Sequence, residues 1–237
     1  MKIAVISDIH GNDEALKVVL EEAKRDSVCR IFVLGDIVGY YYHPDKVIKL
    51  LDCWQKDIVG GNHEQMLKDI QEKKISLEEI TNKFGSGIKH AFAKLTTKRI
   101  NELVNLPLIK QVDFDKVKFL LCHATPWNHE YYIYPDMKEG SLDKFSKYQA
   151  DFIFLGHTHY PYIYQKNKQM IVNVGSVGQS REIGGLASWT IIDTANRVLK
   201  LKATPYDTED LIEEVKKNDP QLPYLYQVLT RNRFDSP

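Results

Sequence analysis

Short runs of apolar residues recur along the chain, and most of them end abruptly at Gly, Asp, Asn or His. The six runs are residues 3–6, 31–34, 58–59, 119–122, 152–155 and 171–174. Continuous apolar runs, without the alternation of a half-buried strand, are typical of strands that are buried on both faces of a sheet. The pattern therefore predicts a β-sheet enclosed between further layers of structure.

Apolar residues at helical spacing fill the gaps between the first strands. Residues 12–26 begin with polar side chains and carry Leu16, Val19 and Leu20 on one helical face, and residues 44–54 repeat the pattern. A strand, a helix and a parallel strand normally form a right-handed crossover. In such sheets the ligand site lies beyond the carboxyl ends of the strands, which is where the polar clusters fall.

The rest of the chain departs from this pattern. Residues 64–106 are rich in Lys and Glu and predict a helical insertion of two or three helices over one side of the site. In residues 187–192 and 197–202 apolar and polar residues alternate more than in the earlier runs, which predicts antiparallel strands. A C-terminal helix and an apolar tail, which packs on the body of the protein or on a partner, occupy residues 208–237. Because no repeat, low-complexity segment or linker interrupts the chain, we expect one domain over residues 1–237.

Composition narrows the possible functions. Hydrophobic residues make up 43% of the 237 residues, which is enough for a sizeable core. Lys plus Arg and Asp plus Glu both number 32, so the formal net charge is zero and no long-range field gathers polyanions. We therefore expect no specific nucleic-acid binding. A small anionic substrate is still compatible, because a local site can be positive on a neutral protein.

We expect a cytoplasmic protein that does not bind membranes. The first apolar run stops at Ser7, too early for a secretory signal, and no stretch approaches the length of a transmembrane helix. Cys29, Cys53 and Cys122 are widely spaced, form no CxxC pair and lie in or beside apolar segments. They are therefore predicted to be buried free thiols rather than disulfides or zinc ligands.

Side chains with metal-binding groups follow the predicted strands. They are Asp8, His10, Asp36, Asn62, His123, His157 and His159. A single histidine is normally a structural or surface residue, and we keep that interpretation for His43, His90 and His129. The seven residues instead follow strand ends together, beside Gly or Asp, and this pattern predicts a metal site.

The donor types indicate which metal and which chemistry to expect. Asp36 is central in the set, and its carboxylate has two oxygens with which to bridge two ions, while Gly35 lets the backbone pass close. Two divalent ions carry four positive charges, and two aspartates offset half of them, so the remainder attracts a phosphate and lowers the pKa of a bound water. Imidazole-rich sites favour Mn, Fe, Zn, Co or Ni over Mg. We expect two divalent transition-metal ions, with Mn first among them.

The order of these motifs resembles the calcineurin-like metallophosphoesterases. The blocks are D-x-H at 8–10, G-D at 35–36, G-N-H-E at 61–64, the strand-end His123 and G-H-x-H at 156–159. Each block alone is a weak signal, but five blocks in this order are highly specific. Weaker similarity continues through residues 173–179 and 187–193, so the resemblance covers most of the chain.

The resemblance implies an α/β fold of four layers, an αββα sandwich of two mixed β-sheets flanked by helices, with a dimetal site at the strand C-terminal edge. His63 matches the family's catalytic histidine, which assists the leaving group as a general acid or a hydrogen-bond donor. The nucleophile would be a metal-bridging hydroxide that attacks in line. The implied ligands are Asp8, His10 and His159 for the first ion, Asn62, His123 and His157 for the second, and Asp36 between them.

Two departures from the family pattern narrow the activity. The Ser/Thr protein phosphatases of this superfamily carry Asp-Arg-Gly after the G-D block, whereas this chain has Gly39 and Tyr40 there, so a protein phosphatase is not expected. Ala124 replaces the glycine that follows the fourth-block histidine in many relatives, and this change should leave metal binding intact. The stretches G-D-I-V-G-Y and N-V-G-S-V-G-Q are similar to a small bacterial and archaeal branch of phosphodiesterases.

We therefore expect a metal-dependent hydrolase of phosphodiesters or nucleotide-derived substrates such as dinucleoside polyphosphates. The alternatives are a phosphomonoesterase and a non-catalytic metal-binding scaffold, although the presence of His63 disfavours the scaffold. Asn12 and Arg181 are candidate substrate contacts, with a solvated loop side chain as the alternative for Arg181. The tyrosines at 131–134 are either a base-stacking platform or a packed strip. The partner is a small phosphorylated or nucleotide substrate, and the apolar tail is compatible with a homodimer.

Overall fold

Ten strands form two β-sheets in residues 1–137 and 139–232, the part of the chain that the computed structural model describes. The strands are β1 (Lys2–Ile6), β2 (Arg30–Val33), β3 (Lys56–Ile58), β4 (Ile109–Phe114), β5 (Val117–Cys122), β6 (Phe152–Leu155), β7 (Tyr162–Lys166), β8 (Gln169–Asn173), β9 (Leu186–Asp193) and β10 (Val198–Pro205). The helices are α1 (Asp13–Arg25), α2 (Pro44–Asp52), α3 (Asn62–Gln71), α4 (Leu77–Phe84), α5 (Gly87–Lys94), α6 (Thr97–Val104), α7 (Glu209–Asn218) and α8 (Tyr224–Thr230), with a 3-10 segment at Glu139–Lys147.

Both sheets are mixed, and each is built around three parallel strands. The first sheet has the order β10-β9-β1-β2-β3, in which β1, β2 and β3 are parallel to one another. In the same sheet β9 is antiparallel to β1, and β10 is antiparallel to β9. The second has the order β4-β5-β6-β8-β7, in which β5, β6 and β8 are parallel and β4 and β7 run antiparallel at the edges. The six parallel strands are the six apolar runs, so the predicted fold class is confirmed.

The continuous apolar runs arise because each parallel strand is buried on both faces. In β1, Ile3 and Val5 pack between the two sheets against residues such as Phe119, while Ala4 and Ile6 pack against the helices on the other face. Successive side chains of a strand point to opposite faces, so a strand between two layers needs apolar residues at every position. Each fully buried Ile or Val contributes about 1.5–3 kcal/mol.

The two outer layers differ from each other. The first sheet is covered by α1, α2 and the insertion helices, whose apolar faces form one core with Ala4 and Ile6. The outer face of the second sheet packs on the 3-10 segment, with Leu142 and Phe145 buried against β5, β6 and β8. Residues 64–106 contain parts of four helices rather than the two or three predicted, because α3 already begins within the G-N-H-E motif.

Two strands and two cysteines differ from the sequence expectations. The edge strands β4 and β7 were not predicted, because their side chains alternate between partly buried and exposed and form no continuous apolar run. All three cysteines are free thiols, as predicted, but Cys29 and Cys53 are exposed and only Cys122 is buried. The nearby apolar residues Val28 and Leu51 are the ones that are buried in the core.

The predicted tail packs on the body of the protein as far as the structure describes it. Leu225, Val228 and Leu229 of α8 are buried together with Tyr41 and Tyr42, which lie in the loop after β2. The last predicted residues, 233–237, lie outside the described part of the chain. Among the helices that are described, none is long and apolar enough to cross a membrane.

Asp219 joins the C-terminal helices to the insertion. Its side chain is fully buried and accepts hydrogen bonds from the Ser86 backbone N–H (2.9 Å), the Ser86 hydroxyl (2.8 Å) and the Tyr42 hydroxyl (2.7 Å). Three donors therefore depend on one carboxylate, and they come from the loop after β2 and from the turn between α4 and α5.

We predict that Asp219→Ala lowers the free energy of unfolding by about 1–3 kcal/mol, because it leaves these buried donors without an acceptor. Urea denaturation followed by circular dichroism measures this change. Asp113→Ala, at an exposed position of β4, is the control and should stay within about 0.5 kcal/mol of the wild type. Equal stability of the two variants would contradict the role assigned to Asp219.

Candidate metal centre

The seven predicted ligands meet where the carboxyl ends of the parallel strands of both sheets face each other. The loops of the first sheet supply Asp8, His10, Asp36 and Asn62, and those of the second supply His123, His157 and His159. All are buried except Asn62, which is partly exposed. The strand-end pattern therefore brings together the residues that it singled out.

Left-handed backbone conformations shape these loops. Asp8, His10, Asp36, His157 and His159 have φ values of 54°, 53°, 51°, 67° and 63°. Such conformations are uncommon outside glycine, although Asp and His adopt them more readily than most residues, and each costs about 1–3 kcal/mol. Hydrogen bonds between the loops hold them in place, including Asp8 N–H to Gly35 O (3.1 Å) and His10 N–H to Asp36 O (2.9 Å).

Gly35 allows the loops after β2 and β3 to touch. Its φ is +91°, and a Cβ atom at this position would lie 2.4 Å from the Gly61 nitrogen. Any side chain would separate Asp36 from Asn62, the residue after Gly61. The glycine of the G-D block therefore has the close-approach role that the sequence predicts.

Each aspartate uses one oxygen for the backbone and leaves the other facing the histidines. Asp8 Oδ2 accepts from the His157 backbone N–H (2.9 Å), and Asp36 Oδ1 accepts from the His63 backbone N–H (2.8 Å). Asp8 Oδ1 is buried without a hydrogen-bond partner. Asp36 Oδ2 lies 3.7 Å from His10 Nε2 and 3.3 Å from His123 Nε2, and a bridging role for Asp36 stays a prediction.

Backbone carbonyl groups fix the orientation of three imidazole rings. The Nδ1 atoms of His10, His123 and His159 lie 3.3, 2.7 and 2.7 Å from the carbonyl oxygens of Val38, Leu34 and Gln179. A carbonyl oxygen can only accept, so each Nδ1 carries the proton. The Nε2 lone pairs then point into the cluster, which is the arrangement found in metal-binding histidines.

The atoms that face inward repel one another unless a cation lies among them. His10 Nε2 is 3.1 Å from His159 Nε2, and His159 Nε2 is 3.2 Å from Asp8 Oδ1. His123 Nε2 is 3.0 Å from Asn62 Oδ1 and 3.3 Å from Asp36 Oδ2, and there a proton on Nε2 takes the place of the cation.

A cation turns these repulsive contacts into attractive ones. Three groups of side chains have ligand atoms within 4.8 Å of one another and could hold an ion: Asp8, His10 and His159; His10, Asp36 and His63; and Asp8, Asp36 and His123. His157 Nε2 is also buried without a partner. The residues therefore fit a metal centre.

The protonation states favour metal binding at most of the site. Burial opposes the charge of Asp8, but His159 and His123 outweigh it and hold the pKa of the carboxyl below its usual range. Burial and His63 lower the pKa of His10, and burial and His123 lower that of His157 to about 4. His123 differs, since Asp36 and Asp8 overcome burial and raise its pKa to about 10. A bound ion would displace that proton.

His63 lies beside the cluster, as predicted. Its Nε2 is 3.9 Å from Asp36 Oδ2, and its ring packs at 4.6 Å from His10 and 4.9 Å from Tyr40. Its Nδ1 is buried without a hydrogen-bond partner and lies against Gly39. The Nε2 edge therefore faces the metal centre.

A cavity of about 580 Å³ opens over the metal centre. The insertion forms part of its wall through α3 and α4, which contribute Asp69 and Phe84. Arg181, from the loop between β8 and β9, lines the same cavity. Tyr132 lines it too, with its ring stacked 4.0 Å from that of His157.

Asn12 does not reach this cavity. Its side chain is 2% exposed, its Oδ1 accepts from the Ala15 N–H at the start of α1, and its Nδ2 donates to Gly178 O. Because the amide is fully used in helix capping and loop contacts, the expectation of a substrate contact at Asn12 is withdrawn. Its place in the sequence, after a metal loop and before a helix, is also that of a helix cap.

Glu64 holds two of the metal loops together, and the sequence reasoning did not identify it. Its carboxylate accepts from the backbone N–H groups of Asp36 (2.8 Å), Ile37 (2.9 Å) and Gly61 (2.9 Å). Burial, with the charge of Asp36, raises the pKa of Glu64 to about 7. Glu64 is the third residue of α3, which is the position of a capping-box glutamate. This position is the feature of the sequence that could have indicated its role.

Comparison with known proteins agrees with this geometry. A family model described as the calcineurin-like phosphoesterase superfamily domain matches residues 1–197. An uncharacterised protein of Methanocaldococcus jannaschii is 34% identical over 239 residues, covering 91% of this chain and 92% of that protein.

Two solved structures share the fold over almost the whole chain. A hypothetical protein of Pyrococcus horikoshii superposes with a TM-score of 0.81 at 21% identity, covering 97% of this chain and 98% of that one. A metallophosphoesterase of Sphaerobacter thermophilus superposes with a TM-score of 0.78 at 26% identity and the same coverage. The extent of the family match and the identity to the Methanocaldococcus protein show that the chain belongs to the calcineurin-like phosphoesterase superfamily.

Proposed function

We propose that this protein is a two-metal hydrolase of phosphoesters that acts on phosphodiesters or nucleotide-derived substrates. The observation that carries the proposal is the buried cluster in which carboxylate oxygens and imidazole Nε2 atoms face one another at 3.1–3.3 Å. This donor set lies under an open cavity rather than in a closed site, and structural zinc sites are typically closed and rich in cysteine. An open site is what a substrate requires.

The ligand atoms divide into two sets that share Asp36. In our proposal Asp8, His10 and His159 hold the first ion, consistent with their mutual proximity. The second ion would be held by Asn62, His123 and His157, and Asp36 would supply a ligand to both sets. The imidazole-rich set supports Mn as the metal, with Fe, Zn, Co or Ni as alternatives.

The bound ions supply the positive charge that attracts the phosphoryl group and the activated water that cleaves it. The protein's own residues fix the geometry. Backbone carbonyls orient the imidazoles, and the two aspartates are held by the N–H groups of His157 and His63. This pre-organisation keeps the ligand atoms in place while the substrate binds and leaves.

His63 assists the leaving group from the side of the cavity. Burial lowers the pKa of His63, so its ring is neutral near pH 7. Since Nδ1 lies against Gly39, the neutral ring presents its Nε2–H group to the cavity and donates a hydrogen bond to the leaving-group oxygen. A positioned hydrogen-bond donor of this kind typically contributes about 10²–10³-fold in rate.

The size of the cavity supports a substrate larger than a single phosphate. A volume of about 580 Å³ lies within the usual range of about 300–1,000 Å³ for sites that bind small organic ligands. Helices α3 and α4 close one side of the cavity, which favours a compact diester or nucleotide over a long polymer.

The test is hydrolysis of bis(p-nitrophenyl) phosphate by metal-stripped protein to which Mn²⁺ is returned, with p-nitrophenyl phosphate run alongside. We expect Mn²⁺-dependent turnover of the diester and its loss in Asp36→Asn, which removes the charge between the two ion sites. His63→Ala should lower kcat by about 10²–10³-fold while the bound metal is retained.

His90→Ala is the matched control, because His90 of α5 lies outside both the cavity lining and the proposed ligand set, and it should keep the wild-type rate. Turnover of the monoester alone would show a phosphomonoesterase instead. Two bound ions without turnover of either compound would favour a scaffold and overturn the proposal.

Gly39 provides a separate test of the position of His63. A Cβ atom at Gly39 would lie 1.9 Å from His63 Nδ1, and the ring cannot retreat, since His10 and Tyr40 pack against it. We predict that Gly39→Ala lowers kcat by about 10²-fold or more, because a displacement of about 1 Å in an active site can have this effect.

Metal analysis of the same samples should show unchanged metal content in Gly39→Ala. The control is Gly140→Ala, where an added Cβ would meet nothing within 4 Å and activity should persist. Full activity of Gly39→Ala would show that the position of His63 does not matter to the reaction.

A further inference from the structure

Arg181 is a positively charged side chain in the cavity wall without an acidic partner. It is partly buried, and its Nε atom is fully enclosed without a hydrogen-bond partner. Among the described residues, no carboxylate forms an ion pair with its guanidinium group. A charge that is withdrawn from water without a partner destabilises the protein. An anionic ligand that pairs with Arg181 would therefore offset the desolvation free energy of its guanidinium group.

The surroundings keep this side chain charged. Burial disfavours the charge, but Tyr224, Tyr40 and Asp8 together hold the pKa of Arg181 above its ordinary value. Arginine is already permanently charged near neutral pH. The cavity therefore presents a fixed cation in addition to any bound metal.

Arg181 lines the same cavity as residues of both halves of the metal centre, among them His157 and His159. Tyr40 and Tyr132 line it too, and they pack 4.5 Å from His10 and 4.0 Å from His157. These histidines belong to different proposed ion sites.

The other charged side chains of the cavity do not neutralise Arg181. Lys83 adds a second cation, with its Nζ 4.8 Å from the centre of the Phe84 ring. Asp69 is paired with Lys74 (3.6 Å) and accepts from Gln65, while Glu130 is exposed to solvent. Lys83 is exposed as well, so among the described charged residues of the wall beyond the metal ligands, Arg181 alone is both partly buried and without an ion pair.

The scissile phosphate does not need this charge. Two divalent ions exceed the charge of Asp8 and Asp36 by two, and a phosphate diester brings only one negative charge. The ions alone therefore attract the group that is cleaved, and the cavity extends beyond it, at about 580 Å³. Arg181 is left to bind a different part of the substrate.

We propose that Arg181 binds a second phosphate of the substrate, next to the phosphoryl group held at the metal centre, and thereby selects diphosphate or longer phosphate chains over single-phosphate diesters. This inference rests on the proposed phosphoesterase function. The planar guanidinium group offers paired N–H donors that match phosphate oxygens, which the ammonium of lysine does not. Arg181 is thus a specificity-determining residue.

The experiment compares two esters with the same leaving group, the p-nitrophenyl ester of thymidine 5′-monophosphate and that of thymidine 5′-diphosphate. We expect Mn²⁺-loaded wild-type protein to prefer the diphosphate ester in kcat/KM. Arg181→Gln should reduce this preference by about ten- to one-hundredfold, the range for a charge-assisted hydrogen bond. Arg181→Lys should retain part of the preference.

The matched control is Arg197→Gln. Arg197 is exposed, lies in the turn between β9 and β10 and pairs with Asp151 at 2.9 Å. It should behave as the wild type toward both esters. An equal loss for both esters in Arg181→Gln, or no change in the ratio, would overturn the proposal. Thermal unfolding of each variant verifies that it is folded.

Calorimetric binding of AMP and ADP to the Mn²⁺-loaded protein separates this inference from the proposed function. A preference for ADP that disappears in Arg181→Gln supports the second phosphate site even if no ester is hydrolysed, in which case the hydrolase proposal alone fails. Equal affinity of the wild type for AMP and ADP would contradict the role of Arg181, whatever the turnover.

Discussion

The crowding of unprotonated nitrogen and carboxylate oxygen atoms at one buried point is the constraint on which the rest of this structure depends. His10 Nε2 and His159 Nε2 face each other at 3.1 Å, and Asp8 Oδ1 has no hydrogen-bond partner. The left-handed residues of the loops, the carbonyl groups that fix the imidazoles and the contact of Gly35 with Gly61 all serve to maintain this arrangement. An arrangement that is unfavourable in isolation, and that so many contacts enforce, is typical of a site that binds a ligand.

The two sheets and their covering elements provide this enforcement from several directions. Glu64 connects the loops after β2 and β3 through backbone N–H groups, while Asp219 ties the C-terminal helices to the turn before α5. Helix α8 also packs on the loop after β2, where Leu225 is buried with Tyr41 and Tyr42. The C-terminal segment therefore belongs to the packed body of the protein, although it lies beyond residues 1–197 that match the family model.

The sequence predicts the parts of this structure that depend on local pattern. Strands buried on both faces read as continuous apolar runs, and a ligand side chain directly after such a run, as at Asp8 or His123, must lie near the sheet edge. The edge strands β4 and β7 were not predicted, because one face of each is exposed and their mixture of apolar and polar residues resembles that of a loop. Asn12 and Glu64 stand at helix-capping positions that the sequence shows, but a capping position alone does not distinguish an amide that binds substrate from one that does not. The contacts of Glu64 with the loop after β2 and the place of Arg181 in the cavity depend on distant parts of the chain.

The most direct test of the metal centre is calorimetric titration of metal-stripped protein with Mn²⁺, because the whole account rests on cations relieving the repulsion among the buried ligand atoms. We expect two ions per chain, release of a proton as His123 binds metal, and a higher unfolding temperature for the loaded protein. Fewer than two ions per chain with no change in stability would show that the cluster is not a dimetal centre.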